Sequence, residues 1–354
     1  MSARRVLGVV ISATVLAACT AGPDYRKPSL DMPQAWKLES PWRASTPQDT
    51  AAKGEWWAGF NEPSLDSLIR QALAGSPTIA AANARLAQAQ AAVTAVSAGM
   101  FPQVGLGPRV ARGKISSNRP LTNYASPNFS TTQNDFVAAF SVNYEADVFG
   151  RVRRSVESVR ASAAQSAADA ENVRLLLITE LAVDYFSLRA LDIEMDVLLR
   201  SIELQKRALG LVAARHDLGA ASGLDLAQQQ ALLDSTLTQV DLLRKQRSQF
   251  EHAIATLTGT PAPSFTLAPD LRVPTAPAVP LGVPSDLLER RPDVASAERA
   301  MAAANAQIGV TSAAFFPSIT LGSNYGGEST SLATLFAAPS IIWSLGASLA
   351  QPLF

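Results

Sequence analysis

The 354-residue chain has one cysteine and two histidines. A disulfide needs two cysteines and a zinc site usually needs several Cys or His ligands, so neither staple holds this fold and packing must do so. Thirty basic side chains balance thirty acidic ones, and a chain with no net positive charge lacks the electrostatic footprint of a nucleic-acid binder. A Gly-x-x-x-x-Gly-Lys-Ser/Thr phosphate loop does not occur, in keeping with a passive role. An enzyme would need His216 or His252 to meet converging acid-base partners in a pocket, for which the sequence offers no signature, and no cofactor is implied. The most informative absence is local. No glycine or proline interrupts Arg151 to Leu209, and none interrupts Leu224 to Thr258.

Those two runs predict two very long helices. In the first, apolar residues recur seven apart at Leu181, Leu188, Met195, Ile202 and Leu209, with Leu191, Leu198 and Val212 between them. That three-and-four spacing is a coiled-coil seam. At 1.5 Å per residue, a helix from Arg151 to about Asp217 is roughly 100 Å long. In the second run Leu226, Leu233, Val240 and Ile254 share a heptad position that Arg247 interrupts. Gly219 as a C-cap and Ser222 as an N-cap reverse the chain between them, which predicts an antiparallel hairpin with an exposed tip.

The N-terminus reads as a targeting segment, with Arg4 and Arg5 followed by an apolar core from Val6 to Leu16, too short for a mature membrane helix. Leu16-Ala17-Ala18-Cys19 resembles a bacterial lipobox, which makes Cys19 the lipidated residue, and several acyl chains there give a lasting anchor. The alternative is an ordinary secretory signal with an incidental cysteine. From Gly22 to Trp57 the proline- and aromatic-rich sequence predicts an extended tether. Pro63 to Ala74 then forms a short amphipathic helix with Leu65, Leu68, Ile69 and Leu73 on one side.

Strand patterning follows an alanine-rich helix from Pro77 to Ala98. Val104, Leu106 and Val110 alternate, as do Phe136, Ala138, Phe140, Val142, Tyr144, Ala146 and Val148, with Ser141, Asn143, Glu145 and Asp147 on the opposite face. This length suits a tilted strand crossing the hydrocarbon core; a soluble sheet edge is the alternative. Glu145 and Asp147 stand two apart as catalytic carboxylates do, but a pore-lining acidic ring that favours cations explains them better. An offset of 215 then superimposes Pro77 to Pro102 on Pro292 to Pro317, Phe101 on Phe316 and Leu106 on Leu321. One supersecondary unit is duplicated. The second copy ends in a strand with Ile341, Trp343, Leu345, Ala347 and Leu349 on one face, and the chain stops at Phe354 where the repeat calls for a second long hairpin. By that logic the chain lacks a pair of helices and is expected to assemble poorly.

Four stretches, Tyr144 to Arg151, Glu289 to Asp293, Ala303 to Gly309 and Ala314 to Ile319, give the chain its resemblance to TolC-like outer-membrane efflux proteins of the NodT type, lipoproteins that serve RND tripartite pumps. The resemblance implies a mixed α and membrane-β fold. Long antiparallel coiled-coil helices form a periplasmic α-barrel, and four strands per chain contribute to a trimeric 12-stranded transmembrane β-barrel. It implies an exit duct in outer-membrane lipid, a homotrimer that meets a periplasmic membrane-fusion adaptor and an inner-membrane RND pump. Gly219, Ser222, Leu224 and Asp225 are the expected adaptor contacts at the tip, with plain helix capping as their alternative. The expected division is a signal peptide at 1–18, a lipid-anchored tether at 19–62, first-repeat helices at 63–101, a transmembrane hairpin at 102–149, a periplasmic helical hairpin at 150–259, a Pro-rich linker at 260–291, a second-repeat helix at 292–316 and a second transmembrane hairpin at 317–354. The competing function is a non-pore periplasmic coiled-coil scaffold, against which the two alternating hairpins argue.

Overall fold

The computed structural model describes residues 20–26, 54–118, 131–277 and 291–354. Cys19 lies outside them, as does most of the expected tether. The helices are α1 (Pro63–Gly75), α2 (Pro77–Ser97), α3 (Arg151–Asp217), α4 (Gly223–Thr258) and α5 (Pro292–Ala313), and the strands are β1 (Gln103–Ile115), β2 (Thr131–Ala146), β3 (Ser318–Ser329) and β4 (Ile341–Ala350). None of the described helices is long and apolar enough to cross a membrane. The chain divides into two compact units, and α2, α3 and α5 each contribute residues to both.

The first unit contains the sheet, an antiparallel meander in the order β1-β2-β3-β4. The repeat is visible in it, because β3 begins at Ser318 exactly one offset of 215 beyond Gln103 of β1. Strand β2 departs from its sequence pattern at both ends. It begins at Thr131, ahead of the apolar alternation, because the backbone ladder with β1 continues through Thr131↔Ile115. It also stops at Ala146 rather than Val148, since Asp147 leaves the ladder and turns to α3. There Asp147 accepts hydrogen bonds from the Val152 N–H at 3.0 Å and the Arg153 N–H at 2.8 Å. A helix begins with four N–H groups lacking intrahelical partners, and an acidic acceptor both pairs with them and meets the positive end of the dipole. Gly150, at φ +81°, supplies the left-handed turn. Phe149 stacks on Phe316 with ring centroids 4.9 Å apart.

Residues 20–26 dock on this junction. The Ala21 N–H donates to the Phe149 carbonyl at 3.0 Å, and the Asn305 side chain donates to the Pro23 carbonyl at 3.0 Å. The buried Arg154 guanidinium pairs with Asp24 at 2.6 Å and with Glu157 at 2.7 Å. Both neighbours hold the Arg154 pKa above its ordinary value. Gly22 passes so close to α5 that a Cβ there would stand 2.5 Å from Gly309 Cα.

The second unit is helical. Leu65, Ile69, Leu181, Tyr185, Leu188 and Ile254 are fully buried in one core, and Ile202, Leu233 and Val240 form a second farther along the α3/α4 hairpin. The predicted seam is therefore the packed face. Each such side chain contributes about 1.5–3 kcal/mol of transfer free energy. A second stripe was not anticipated: Leu176, Val183, Val197, Leu204 and Leu211, spaced in sevens with Ala190 completing the series, are each more than half exposed.

Arg247 breaks the α4 heptad for a reason the pattern could not show. Its guanidinium donates to Asp192 of α3 at 2.7 Å and to the Leu267 carbonyl at 2.6 Å. Asp192 has no exposed side-chain surface and also receives Arg189 at 3.1 Å and the Asp270 N–H at 3.2 Å. Arg189 lies 4.9 Å from the Tyr185 ring centroid and donates to the Ala268 carbonyl at 2.7 Å. Glu251 accepts the Leu267 N–H at 2.7 Å. The proline-containing segment after α4 thus uses its own backbone groups to close a buried charge network, which a segment without regular structure must do to leave none unpaired.

Removing one member of such a network strands the others. Asp192→Ala leaves the buried Arg189 guanidinium and the partly buried one of Arg247 without their carboxylate and is expected to cost about 3–5 kcal/mol. Replacing Arg189, Asp192 and Arg247 together by apolar residues of similar volume is expected to cost far less. Unfolding of the detergent-solubilised protein measures both, and equal stability of Asp192→Ala and the parent would overturn this account of the hairpin.

Candidate functional site

The pairing register assigns every strand residue to a face, because directly opposite residues point the same way. On one face, Leu106 lies opposite Phe140, Phe140 opposite Tyr325, and Tyr325 opposite Trp343. Val104, Val110, Leu321, Leu345 and Leu349 belong to the same face. It is a continuous apolar surface, and it is open: Val104 is 70% exposed, Val110 74%, Trp343 75% and Leu345 79%. A soluble monomer rarely shows an apolar patch of this extent without a partner phase to cover it. On β4 the band covers nine residues, Ile341 to Leu349. Nine residues make about 30 Å of strand, which at a tilt near 40° rises roughly 23 Å, close to the height of the apolar band of a membrane β-barrel.

The other face is polar and small. Gln103, Asn143, Gly322 and Gly346 form one row across the four strands, and Gly105, Ser141, Asn324 and Ser344 form the next. Two of the predicted pore-lining residues, Ser141 and Asn143, are therefore in adjacent rows. Glu145 is one row farther, opposite Thr320, which is opposite Ser348. Glycines Gly105, Gly107, Gly113, Gly322, Gly326 and Gly346 all lie on this face, where each withholds a side chain and weakens the strand.

The structure does not group all four predicted residues alike. Ser141, Asn143 and Glu145 share the polar face of β2, while Asp147 sits beyond its end and binds α3. Both carboxylates also have arginine partners: Glu145 makes a two-pronged contact with Arg151, and Asp147 receives Arg153 at 3.3 Å. Sequence reasoning missed the remaining charges of this face, Arg109, Asp135 and Glu328, because their grouping is a matter of register. The repeat held a signal for Glu328, whose counterpart at the 215 offset is Gly113 on the same face of β1.

At the far end of the hairpin the predicted tip residues do come together. The Gly219 N–H donates to the His216 carbonyl at 2.8 Å and the Ala220 N–H to that of Arg215 at 2.7 Å, the paired bonds of a Schellman terminus, with Gly219 at φ +74°. Ser222 and Asp225 form a reciprocal capping box. The His216 ring nitrogen Nδ1 meets the Ala221 carbonyl at 3.0 Å. Every polar group named here is satisfied locally, while two apolar side chains of the tip also stand in solvent: Leu218 is 83% exposed and Leu224 65%. Capping accounts for Gly219, Ser222 and Asp225; it does not account for Leu224.

Comparison with known proteins is consistent across sequence and structure. The family described as "Outer membrane efflux protein" matches residues 68–260 and 283–354. The chain is 31% identical over 352 residues to the pyoverdine export outer membrane protein OpmQ of Pseudomonas aeruginosa, covering 98% of this chain and 72% of that protein. It is 28% identical over 354 residues to the toluene efflux pump outer membrane protein TtgC of Pseudomonas putida, covering 99% and 72%. Among solved structures, the outer-membrane channel OprN superimposes with a TM-score of 0.79 at 31% identity over 94% of this chain and 73% of that one. CusC, at 24% identity, shares the fold with a TM-score of 0.76 over 95% of this chain and 73% of that one.

The capping box carries a pH signature. Hydrogen bonds from the Ser222 side chain and backbone lower the Asp225 pKa. A depressed folded-state pKa means a contribution fully present above the ordinary aspartate range and lost as pH falls through the folded-state value. Hydrogen-exchange protection at the start of α4, corrected for intrinsic rates, is expected to be constant at neutral pH and to fall in acid. Asp225→Asn should weaken it at neutral pH and flatten the acid step; an unchanged acid step in that variant would assign the titration elsewhere.

Proposed function

The chain belongs to the outer membrane efflux protein family, and we propose that it serves as the exit duct of a tripartite RND-type pump, passing drugs or other small molecules passively across the periplasm and outer membrane. The observation that carries this reading is the four-stranded sheet with one exposed apolar face, one polar face and two unpaired edges. In hydrocarbon every backbone N–H and C=O must find a partner within protein, so an open sheet cannot remain there as it is. Four strands are also too few to close around a lumen, since single-chain barrels start at about eight. Three copies, with β4 of each pairing to β1 of the next, give a closed barrel of twelve strands.

In that assembly the apolar face meets lipid and the polar face lines water. Ser141, Asn143 and Glu145 are then lumen residues, and Asp147 marks the strand-to-helix junction at the lumen's rim. The exposed heptad stripe on α3 finds its cover among the helices of the periplasmic α-barrel. The family is one of outer-membrane efflux channels, so the protein is a transport component rather than an enzyme. Energy comes from the inner-membrane pump through the adaptor. Cys19, as the lipidated residue, adds an anchor to a protein that the barrel already holds. At the tip, Gly219, Ser222 and Asp225 fix the turn, and Leu224 with its neighbour Leu218 presents an apolar contact to the adaptor.

The scaffold reading differs in one measurable way. Planar-bilayer recording of the purified protein, with its mass in detergent determined on the same sample, separates the two, and a trimer with stable conductance supports the duct. Cys19→Ala protein is expected to stay in the membrane by virtue of its barrel. A non-conducting protein that becomes soluble without its acyl anchor would be a scaffold. Leu224→Glu tests the tip separately. A carboxylate in the first turn suits the helix dipole, so the hairpin is expected to remain folded while affinity for the adaptor falls about tenfold, the loss expected from removing roughly 1.4 kcal/mol of apolar contact.

A further inference from the structure

We propose that Glu328 is the residue that gives this duct its preference for cations, an inference that rests on the duct reading and refines it. The argument is a charge balance on the polar face of the sheet. Glu145 is held by Arg151 and, at the junction, Asp147 by Arg153. Asp135 of β2 is held by Arg109 of β1 at 2.5 Å. Glu328 of β3 is exposed, and among the described residues it is the one carboxylate of this face with neither an ion pair nor a hydrogen bond.

Register fixes its surroundings. Arg109 lies opposite Val137, and Val137 opposite Glu328, so the three share one row with an aliphatic side chain in the middle. The adjacent row contains Gly107, Ala139, Gly326 and Ile342. Gly107 and Gly326 have no side chain, Ala139 has only a methyl and Ile342 is apolar, so no polar side chain of that row pairs with the carboxylate. The other basic residues of β1, Arg112 and Lys114, alternate onto the opposite face, the one that holds Val104 and Val110. Arg109, Asp135 and Glu328 therefore leave one uncompensated negative charge per chain at this level. Three chains place three such charges around one lumen.

A ring of like charge in a pore with low-dielectric walls concentrates the field and raises the local concentration of counter-ions. Glu145 and Asp147, the carboxylates that strand alternation singles out, exert much weaker long-range fields because each forms a local ion pair. The solutes favoured are small cations and drugs that carry positive charge. The effect is one of electrostatic steering and weakens as salt shortens the screening length from about 30 Å at 0.01 M to about 10 Å at 0.1 M.

Reversal potentials across planar bilayers in a salt gradient test this on the assembled protein. The unaltered duct is expected to be cation-selective, most strongly at low salt. Glu328→Gln is expected to move the reversal potential toward zero, and Glu328→Lys to move it to the anionic side, both with conductance retained. Arg109→Gln frees Asp135 and is expected to shift selectivity the other way, toward stronger cation preference, which loss of structure would not do. Conducting Glu328→Gln channels with an unchanged reversal potential would overturn the proposal and leave the duct reading intact. Absence of conductance in the unaltered protein would overturn both.

Discussion

An unpaired strand edge cannot face hydrocarbon, and the rest of this structure follows from that constraint. The meander satisfies the inner ladders of β1 to β4 and leaves two edges open. The exposed apolar face imposes the same demand in a different form, since water cannot be its medium. The α3 stripe from Leu176 to Leu211 repeats it among the helices. Sheet and helices are each finished on one side only, and what finishes them is more protein and a bilayer.

A chain that changes from strand to helix where a membrane ends has a local problem to solve. The last ladder residue leaves lipid just as the first helical N–H groups lack partners. Asp147 resolves this by leaving the strand to cap α3, and Gly150 supplies the left-handed backbone that the reversal needs. Arginines at 151, 153 and 154 then reach three acidic partners outside their own helix, Glu145, Asp147 and Asp24. The first of these belongs to the strand, the second to the turn and the third to the segment that follows Cys19. The junction is thus tied in three directions by side chains from a single helical turn. Its cost is specificity in packing: Gly22 and Gly309 approach too closely for either to carry a side chain without displacing backbone or Arg154.

Local pattern in the sequence revealed what local physics determines. Glycine- and proline-free runs became α3 and α4, the heptad seam became the buried face, and the 215-residue offset predicted the equivalence of β1 and β3. Caps at Gly219 and Ser222 were legible because their geometry needs only a few neighbouring residues. The other features depend on partners far apart in the chain. Arg247 looks like a fault in a heptad until Asp192, 55 residues away, is placed against it. Alternation finds the polar side of one strand, but only register reveals that Arg109 and Glu328 flank Val137, or that Glu145 is already neutralised. The end of β2 was misread by two residues because alternation continues through Val148 while the backbone has turned away to serve a helix.

The composition of the polar face bears on what a passive duct can discriminate. Six glycines in short strands are a standing cost in stability, and open space surrounds three of them, Gly107, Gly113 and Gly346. Their absence of side chains widens the bore and removes hydrogen-bonding shape that would suit one solute over another. Ser141, Asn143, Asn324 and Ser344 keep the face wet without adding charge. Such a wall recognises little beyond size, which suits a conduit whose choice of cargo is made upstream by the pump. Charge is the exception, because a field acts over a distance and needs no fitted contact. A duct can therefore remain tolerant of shape and still favour one sign of charge, provided that most of its carboxylates are paired and a single position per chain is not.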